Sequence, residues 1–490
     1  MIFKNFLKNN IYLILISLFL LITRIYKIDT IPSSVYWDEA SIGYNAYSVI
    51  TTGSDEWGSF LPLHFRAFGE FKLPVYIYSV ATLVKLIGLN EFAVRLPAVL
   101  YGLGSLVLIY LLAYKITKNK LVSNLASFIF AVMPWFFIFS RTGYEVTAGL
   151  FFYLAGVYFL ILGLEINKLF LFGVISLLAS LYSYTSFRIV APLTLFAFLF
   201  ELLRNKSKYK FIVIIISVAI FIVSLIPVVK LFVYDAGFGR AQTFALIPGF
   251  QQVYDLQGKP HFQVTFNRDG ISWTKNIYQM ASNYFSHFSY DFLFVNGDSN
   301  SRSQVPNSEQ LLLVSFPFLV LGFFNLLKSK YKYSWVIFLT FLLAPIPAAI
   351  TKESPHALRA VLLVFSFSIT TALGIVYAKE RIKNLKYQNL FLMATIFVFV
   401  ISFSRYYLNF LNNYNNQIKN DWQYEYKEIF KVQNSGCIED KYGQPYIFGL
   451  YYKKVDPKYF LETRELNDVS DWGFSTVKSF GEYKFLKKCE

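Results

Sequence analysis

The chain has 490 residues, 55% of them hydrophobic, and its mean hydropathy of +0.44 is too high for one or two soluble domains. The formal net charge of +16 would suit a nucleic-acid-binding protein. However, the basic residues lie in short loops between apolar blocks, which excludes that class. These blocks are about 17–22 residues long, close to the roughly 20 residues that a helix needs to cross a bilayer.

The apolar blocks predict an all-α polytopic membrane protein with about eleven spans. No small-residue cleavage site follows the first block, so this block is predicted to be a retained anchor and not a signal peptide. The predicted spans are 10–28, 96–114, 121–139, 145–164, 169–186, 189–203, 211–232, 309–327, 333–350, 358–377 and 388–404.

The basic residues predict the orientation of these helices. If the N-terminus is cytoplasmic, lysines and arginines concentrate in the inner loops, which are 115–120, 168, 204–210, 328–332 and 379–386. The short outer turns contain only four basic residues, Arg141, Arg188, Lys352 and Arg359. This alternation follows the positive-inside rule. It predicts a multi-pass protein of the cytoplasmic membrane with its N-terminus inside and its C-terminus outside.

Residues 74–89 are apolar enough to suggest a twelfth span, but another crossing would invert every later loop. This short segment contains Lys85 and is therefore predicted to be a juxtamembrane or re-entrant helix on the outer face. Three extracytoplasmic regions remain, namely 29–95, 233–308 and a tail over 405–490.

The tail mixes charges of both signs with short apolar runs, which predicts a small extracytoplasmic α/β module after a membrane domain over 1–404. Both cysteines of the chain, Cys437 and Cys489, lie in this tail. They are able to pair if the tail is extracytoplasmic. Two cysteines support neither a disulfide framework nor a thiolate metal site.

Asp38 and Glu39 form an acidic pair just after the first predicted span. Adjacent carboxylates are costly to desolvate near a membrane, and one of them would be well placed to remove a proton from a substrate hydroxyl. A helix is predicted over 39–50, so capping of that helix by Asp38 is the structural alternative, and the two roles are compatible. Asp55 and Glu56, in contrast, are predicted to lie in a solvated turn.

Basic residues on the same face suggest phosphate binding. Lys72 follows Glu70 and precedes the proline that starts the juxtamembrane helix, where it would contact lipid phosphates in general or the phosphate of one bound lipid. The outer arginines Arg141, Arg188 and Arg359 run against the positive-inside bias. An anionic ligand would explain them, because guanidinium binds phosphate through two parallel charged hydrogen bonds.

The outer arginines have an alternative explanation, and the outer face contains one further candidate. The alternative explanation for the outer arginines is pairing with Glu39, Glu70 or Glu145. His356, near Arg359 at a span entrance, is a candidate for the same phosphate-binding role. No GxGxxG, Walker A, HExxH or paired-cysteine pattern is present in the sequence, so no nucleotide or zinc site is supported.

The order of these motifs resembles that of a known superfamily. The acidic pair, the Lys-x-Pro motif and the sequence over 91–97 that enters the second span follow one another, and Phe68–Lys72, Ser140–Arg141 and Pro355–Ala360 add further matches. The pattern resembles the GT-C glycosyltransferases. It is most similar to a bacterial subgroup of the polyprenyl- or dolichyl-phosphate-sugar branch, which includes protein O-mannosyltransferases and lipid A aminoarabinose transferase. The resemblance covers about residues 10–400.

The resemblance implies inverting transfer of a sugar from a polyprenyl-phosphate donor to a glycan, lipid or protein acceptor outside the membrane. It implies that Asp38 is the base, with Glu39 as its neighbour or substitute. It also implies that the donor phosphate is held by Lys72, Arg188, His356 and Arg359. Lys72 is the best matched of these, although Lys72-Leu73-Pro74 departs by one residue from the Lys-Pro motif of related transferases. Additional candidates are Glu70, Arg141 and Glu145.

This chemistry requires no cofactor or metal, although adjacent carboxylates are able to bind a divalent ion loosely. The alternative functions are a flippase or transporter for lipid-linked sugars and a glycan polymerase or ligase of the same topology. Transporters usually place ionisable residues near the bilayer midplane, whereas the predicted spans of this chain are almost free of charge. A ligase would differ in using a pyrophosphate-linked donor.

Overall fold

A computed structural model describes residues 2–204, 210–234, 246, 250–254, 260–264, 271–469 and 474–489. The predicted inner loop around Lys206 and Lys208 lies outside the described residues, as does much of the predicted outer region between 235 and 270.

The described part of the chain is predominantly helical. Its first helices are α1 (Ile2–Ile25), α2 (Trp37–Thr52), α3 (Pro74–Ile87), α4 (Glu91–Thr117), α5 (Lys120–Val132), α6 (Pro134–Phe137), α7 (Val146–Gly163), α8 (Asn167–Leu181), α9 (Phe187–Arg204) and α10 (Lys210–Tyr234). The next are α11 (Ile271–Ser286), α12 (Tyr290–Phe294), α13 (Phe316–Lys328), α14 (Ser334–Leu343), α15 (Ile346–Ala349), α16 (Leu363–Glu380) and α17 (Leu385–Ile418). The tail contains α18 (Tyr424–Val432), α19 (Pro445–Lys453) and α20 (Pro457–Thr463).

The described strands form three small sheets. A hairpin in the first outer region joins β1 (Phe65–Arg66) to β2 (Phe71–Lys72), and a second hairpin joins β3 (Phe250–Tyr254) to β4 (Pro260–Val264). The tail has a four-stranded sheet in the order β5-β8-β7-β6, made of β5 (Gly436–Glu439), β6 (Glu465–Leu466), β7 (Val477–Phe480) and β8 (Tyr483–Leu486). In this sheet β5 and β8 are parallel, and the other pairs are antiparallel.

Five described helices are long and apolar enough to cross a membrane, and they are α4, α7, α10 up to Leu231, α16 and α17. Shorter apolar segments cover 10–25, 74–87, 120–132, 167–181, 313–328 and 334–349. Each of the eleven predicted spans overlaps a described helix, and the chain is a multi-pass membrane protein. The number of helices that cross the bilayer stays a prediction.

The predicted outer segments meet at one end of the helical bundle. The Leu73 amide donates to Glu145 Oε1 at 3.2 Å, and the Ala357 amide donates to Asp298 Oδ2 at 2.6 Å. At the opposite end, Glu165 accepts hydrogen bonds from Lys115 (2.7 Å) and from Tyr333 (2.9 Å), all in predicted inner loops or beside them. These contacts join predicted outer segments to one another and predicted inner segments to one another.

The tail and the first outer region share one hydrophobic core. Ala40 of α2 and Ile77 of α3 belong to the same buried cluster as Ile447 of α19 and Phe460 of α20. The predicted boundary between 404 and 405 falls inside α17, which runs on to Ile418. Its buried aromatic residues recur every three or four positions and keep one face of the helix packed on the bundle; they are Phe403, Tyr406, Phe410 and Tyr414.

Candidate active site

Asp38 lies in the first turn of α2, close to the predicted start of this helix. Tyr36 occupies the N-cap position, so Asp38 is not the capping residue that the sequence alternative proposed. A carboxylate in the first turn still interacts favourably with the helix dipole. Its Oδ2 accepts a hydrogen bond from Trp37 Nε1 at 3.2 Å, and its side chain is 27% exposed. Asp38 is thus held in place while remaining reachable by a ligand.

The β1–β2 hairpin brings Lys72 to Asp38. In this hairpin Phe65 pairs with Lys72, and the Lys72 ammonium forms an ion pair with Asp38 Oδ1. Glu70 Oε1 lies 3.5 Å from the same ammonium. Burial alone would lower the pKa of Lys72, but the Asp38 and Glu145 carboxylates outweigh it and raise the pKa. Lys72 is therefore a buried cation next to a part-exposed carboxylate.

Glu145 extends this cluster from the turn before α7. It is half-buried, and its Oε1 accepts the Leu73 amide at 3.2 Å, one residue after Lys72. Burial raises the pKa of Glu145 to about 7, with Asp38 adding to the rise and Lys72 and Arg188 opposing it. The structure thus brings together three of the candidates from the sequence, Asp38, Lys72 and Glu145.

Glu39, the neighbour of Asp38, lies in a different environment. It is fully buried and forms an ion pair with Arg95 of α4 at 2.9 Å, and the Gly143 amide donates to its Oε1 at 2.6 Å. Arg95 also donates to the backbone carbonyls of residues 28, 32 and 34. Both Glu39 oxygens are engaged, so the geometry supports a role in fixing α2 to α4 and not a role as a base.

Arg302 is a site residue that the sequence analysis missed. Its guanidinium lies over the rings of Tyr36 (5.5 Å) and Trp37 (5.6 Å), next to Asp38 in the chain, and Asp38 is within electrostatic range of it. The Tyr144 hydroxyl donates to the Arg302 carbonyl at 3.1 Å and helps to position it. None of the described residues accepts a hydrogen bond from this guanidinium. In the sequence, Arg302 is an arginine in a predicted outer region with no motif around it, so only its location could have indicated a role.

Comparison with known proteins bears on this site. A family model described as dolichyl-phosphate-mannose-protein mannosyltransferase matches residues 72–227, starting at Lys72. A Bacillus subtilis (strain 168) protein named "Putative mannosyltransferase YkcB" is 31% identical over 160 residues. The match covers 32% of this chain and 21% of that protein, so the chain matches about a fifth of its relative's length.

Solved structures show the fold over most of the chain. ArnT from Cupriavidus metallidurans in the apo state has a TM-score of 0.58 at 10% identity, covering 91% of this chain and 85% of that chain. The same protein bound to undecaprenyl phosphate has a TM-score of 0.57 at 12% identity, with the same coverage. The fold of the chain is therefore similar to that of ArnT, as its resemblance to the GT-C glycosyltransferases predicts.

A longer protein also has a similar fold. The Archaeoglobus fulgidus oligosaccharyltransferase tethered with an acceptor peptide has a TM-score of 0.51 at 10% identity. The alignment covers 91% of this chain and 59% of the archaeal one, so the likeness extends over most of this chain.

The other predicted phosphate-binding residues lie in two places. Arg188, at the start of α9, contacts His64 Nε2 at 3.2 Å and lies within electrostatic range of Glu145. Burial, together with Arg188, lowers the pKa of His64 to about 4, so this histidine is a neutral partner for the guanidinium. Arg188 therefore lies beside the Asp38 cluster.

His356 and Arg359 belong to a neighbouring turn that is held mainly by its own contacts. His356 Nδ1 lies 3.4 Å from Asp298 Oδ2, and Arg359 donates to the Thr351 hydroxyl at 2.7 Å and to Glu353 Oε2 at 3.3 Å. These contacts connect the turn to the loop that carries Arg302. A phosphate-binding role for His356 and Arg359 stays a prediction.

Arg141 occupies a structural position. It is fully buried, and its guanidinium donates to five backbone carbonyls around the C-terminus of α1, those of residues 23, 24, 26, 27 and 31. The last carbonyls of a helix lack partners within the helix, and a cation there also suits the helix dipole. The guanidinium of Arg141 is thus engaged by carbonyls, and the ion pair of Arg359 is with Glu353, so neither explains its position by pairing with Glu39, Glu70 or Glu145.

Asp55 and Glu56 lie in a different environment from the one that the sequence predicts. The prediction of a solvated turn is wrong, because the side chains are buried where the tail covers the first outer region. The Tyr446 hydroxyl donates to Glu56 Oε1 at 3.4 Å, and Arg464 donates to the Glu56 carbonyl at 3.0 Å. Burial, with Asp55 nearby, raises the pKa of Glu56 to about 8.

The described residues contain no group of three or more His, Cys, Asp or Glu side chains arranged to hold a metal ion. At the candidate site, Asp38 and Glu70 both contact the ammonium of Lys72. The lysine thus supplies a positive charge to both carboxylates.

Proposed function

We propose that the protein is a membrane glycosyltransferase that transfers a sugar from a polyprenyl-phosphate carrier to an acceptor on the extracytoplasmic face. The observation that carries the proposal is the pairing of part-exposed Asp38 with buried Lys72, beside the guanidinium of Arg302. The mannosyltransferase family model starts at Lys72, and a similar fold has been solved with undecaprenyl phosphate. Both support a lipid-phosphate donor.

The proposed reaction is a single displacement at the anomeric carbon of the sugar. The acceptor oxygen or nitrogen forms the new bond to this carbon while the bond from carbon to phosphate oxygen breaks. The acceptor proton passes to Asp38, and the electron pair of the broken bond stays on the polyprenyl phosphate. One displacement inverts the configuration at the sugar.

Lys72 has a different partner in each stage of this reaction. Without a donor, its ammonium neutralises Asp38 and makes that carboxylate a weak base. A bound phosphate competes for the ammonium, because phosphate oxygens are strong acceptors of charged hydrogen bonds. Asp38 then regains basicity at the moment when the donor is in place. The ion pair thereby couples donor binding to activation of the base.

Arg302 supplies the second positive charge for the leaving group. Its planar fork makes two parallel hydrogen bonds to a phosphate when it is free of other acceptors. Stacking on Tyr36 and Trp37 holds the guanidinium near Asp38. Charge that develops on the leaving phosphate is then stabilised from two sides, by Lys72 and by Arg302.

The extracytoplasmic location of the site is part of the proposal. Cys437 and Cys489 form a disulfide with a Cα–Cα distance of 5.9 Å, and disulfides persist mainly in oxidising compartments. The tail that carries this disulfide packs on α2, which carries Asp38. The charge pattern of the loops supports the same orientation.

The test is sugar transfer by the purified full-length protein from polyprenyl-phosphate donors of the native membrane. Asp38→Asn keeps the side-chain size and removes the base, so turnover should fall by about 100-fold or more. Glu70→Gln is the matched control, since it removes the other carboxylate that contacts Lys72. We expect this control to retain most of the wild-type rate.

Two outcomes would contradict the assignment of Asp38. One is wild-type turnover by Asp38→Asn, and the other is an equal loss in both variants. In the same assay, Arg302→Ala should raise the KM for the lipid donor by roughly tenfold, because charged hydrogen bonds to the phosphate are lost. An unchanged KM would exclude Arg302 from the donor site.

A ligase or polymerase that uses a pyrophosphate-linked glycan is the second candidate function. The fold likeness to the archaeal oligosaccharyltransferase favours it. Mass spectrometry of the lipid that co-purifies with the protein separates the two, since a monophosphate-linked sugar supports transfer from a simple donor. A pyrophosphate-linked oligosaccharide would support the ligase instead.

A further inference from the structure

The turn before the β1–β2 hairpin exposes three large apolar side chains. Phe60 is 73% exposed, Leu61 is 52% exposed and Leu63 is 50% exposed. Residues 57–63 contain no charged residue. Single exposed apolar residues are ordinary on protein surfaces, but a continuous uncharged group of them usually indicates a binding surface.

This apolar turn contacts the juxtamembrane helix α3 and adjoins the start of α9. The Tyr78 hydroxyl of α3 donates to the Pro62 carbonyl at 3.0 Å. His64, directly after Leu63, contacts Arg188 at the start of α9 at 3.2 Å. The turn therefore lies at the level where α9 leaves the helical bundle.

The two helices that the turn adjoins also expose apolar side chains. On α9, Leu193 is 42% exposed and Phe196 is 71% exposed, about one and two turns from Arg188. At the end of α3, Leu86 is 73% exposed, and the adjacent Lys85 is also exposed. Apolar side chains next to a lysine are typical of the boundary between acyl chains and headgroups.

We propose that the apolar turn formed by residues 60–63 inserts into the outer leaflet as a membrane contact separate from the spanning helices. The occupant of this surface is bilayer lipid, because the turn adjoins α3 and the start of the apolar helix α9, and both helices expose large apolar side chains. A soluble protein partner would not explain its position at the ends of these helices.

The contact has a consequence that rests on the proposed function. Leu63 lies two residues before β1, which pairs with the strand that carries Lys72. Insertion of the turn sets the height of this hairpin relative to lipid headgroups. It thereby brings Lys72 to the depth at which a donor phosphate lies.

The test measures the depth of the turn directly and does not depend on catalysis. Leu61→Cys and Leu63→Cys are each labelled with an environment-sensitive fluorophore in the full-length protein, reconstituted in phosphatidylcholine nanodiscs. The native cysteines are closed in a disulfide and do not react. Val432→Cys, at an 81% exposed position at the end of α18, is the matched control.

Both turn variants should emit at shorter wavelength than the control and should be quenched by lipids that carry a spin label near the headgroup. Emission and quenching equal to those of Val432→Cys would overturn the proposal. Quenching by lipid at position 63 but not at 61 would also contradict it, since the whole turn is proposed to insert. If Leu63→Cys does not fold, as judged by gel filtration, Phe60→Cys replaces it with the same expected results.

Discussion

At the residue scale, the acidic pair shows how neighbours in the chain acquire different roles. Asp38 is 27% exposed and pairs with Lys72, whereas Glu39 is fully buried and pairs with Arg95. Successive residues of an α-helix point about 100° apart, so two adjacent carboxylates cannot face the same pocket. Because both residues belong to the same helix, Asp38 faces the accessible side and Glu39 faces the protein interior.

The Glu39–Arg95 pair should be important for stability. Arg95→Gln would leave a buried carboxylate without its cation, which costs about 3–5 kcal/mol. Arg359→Gln is the control, because Arg359 pairs with a Glu353 side chain that is 58% exposed, and such a pair contributes about 1 kcal/mol or less. Thermal unfolding of the detergent-solubilised variants measures both. Similar losses in the two variants would show that Glu39 does not depend on Arg95.

At the element scale, the tail packs closely on α2, and this close approach restricts the side chains that fit between them. A Cβ atom on Gly43 of α2 would lie 2.6 Å from the Tyr451 ring of α19, so glycine permits this helix contact. Glu56 lies in the same interface, and its amide donates to Asn45 of α2 at 3.0 Å. The Glu56 carboxyl group is therefore buried inside a closed interface.

Glu56 should make stability depend on pH. Burial raises its pKa from 4.5 to about 8, so the folded state holds a proton that the unfolded state loses at lower pH. The contribution of Glu56 to the free energy of unfolding should therefore decrease as pH rises between about 4.5 and 8. Glu56→Gln does not titrate, so it should gain a few kcal/mol over wild type across this range.

Unfolding temperatures of Glu56→Gln and wild type at pH 5, 7 and 9 would check this expectation. Glu462→Gln, on an exposed face of α20, is the control and should show no such trend. A constant difference between wild type and Glu56→Gln at every pH would mean that the carboxyl group is already ionised in the folded protein.

At the scale of the whole molecule, the two ends of the bundle should lie on opposite sides of the membrane. In intact cells, a membrane-impermeant thiol reagent should label Val432→Cys in the tail. Lys330→Cys, exposed in a predicted inner loop, should react after permeabilisation and not before. The reverse pattern would invert the orientation, and labelling of both in intact cells would contradict the predicted span count.

The sequence by itself determined the membrane class, the positions of the helical segments and the region of the site. These features depend on local properties, namely the length of apolar segments and the sign of charge in the loops between them. Asp38 and Lys72 were identified in this way, since both stand near a predicted membrane edge. Their pairing and the place of Glu145 beside them required the folded chain.

Only the tertiary structure decided which charged residues line the candidate site and which support the fold. Glu39 meets Arg95 across 56 positions of sequence, and Arg141 caps a helix that ends more than a hundred residues earlier. Arg302 joins the site through aromatic rings of another segment, and Glu56 is buried by the tail. No local pattern contains this information, because the burial and the partners of a charge depend on segments that are distant in sequence and adjacent in space.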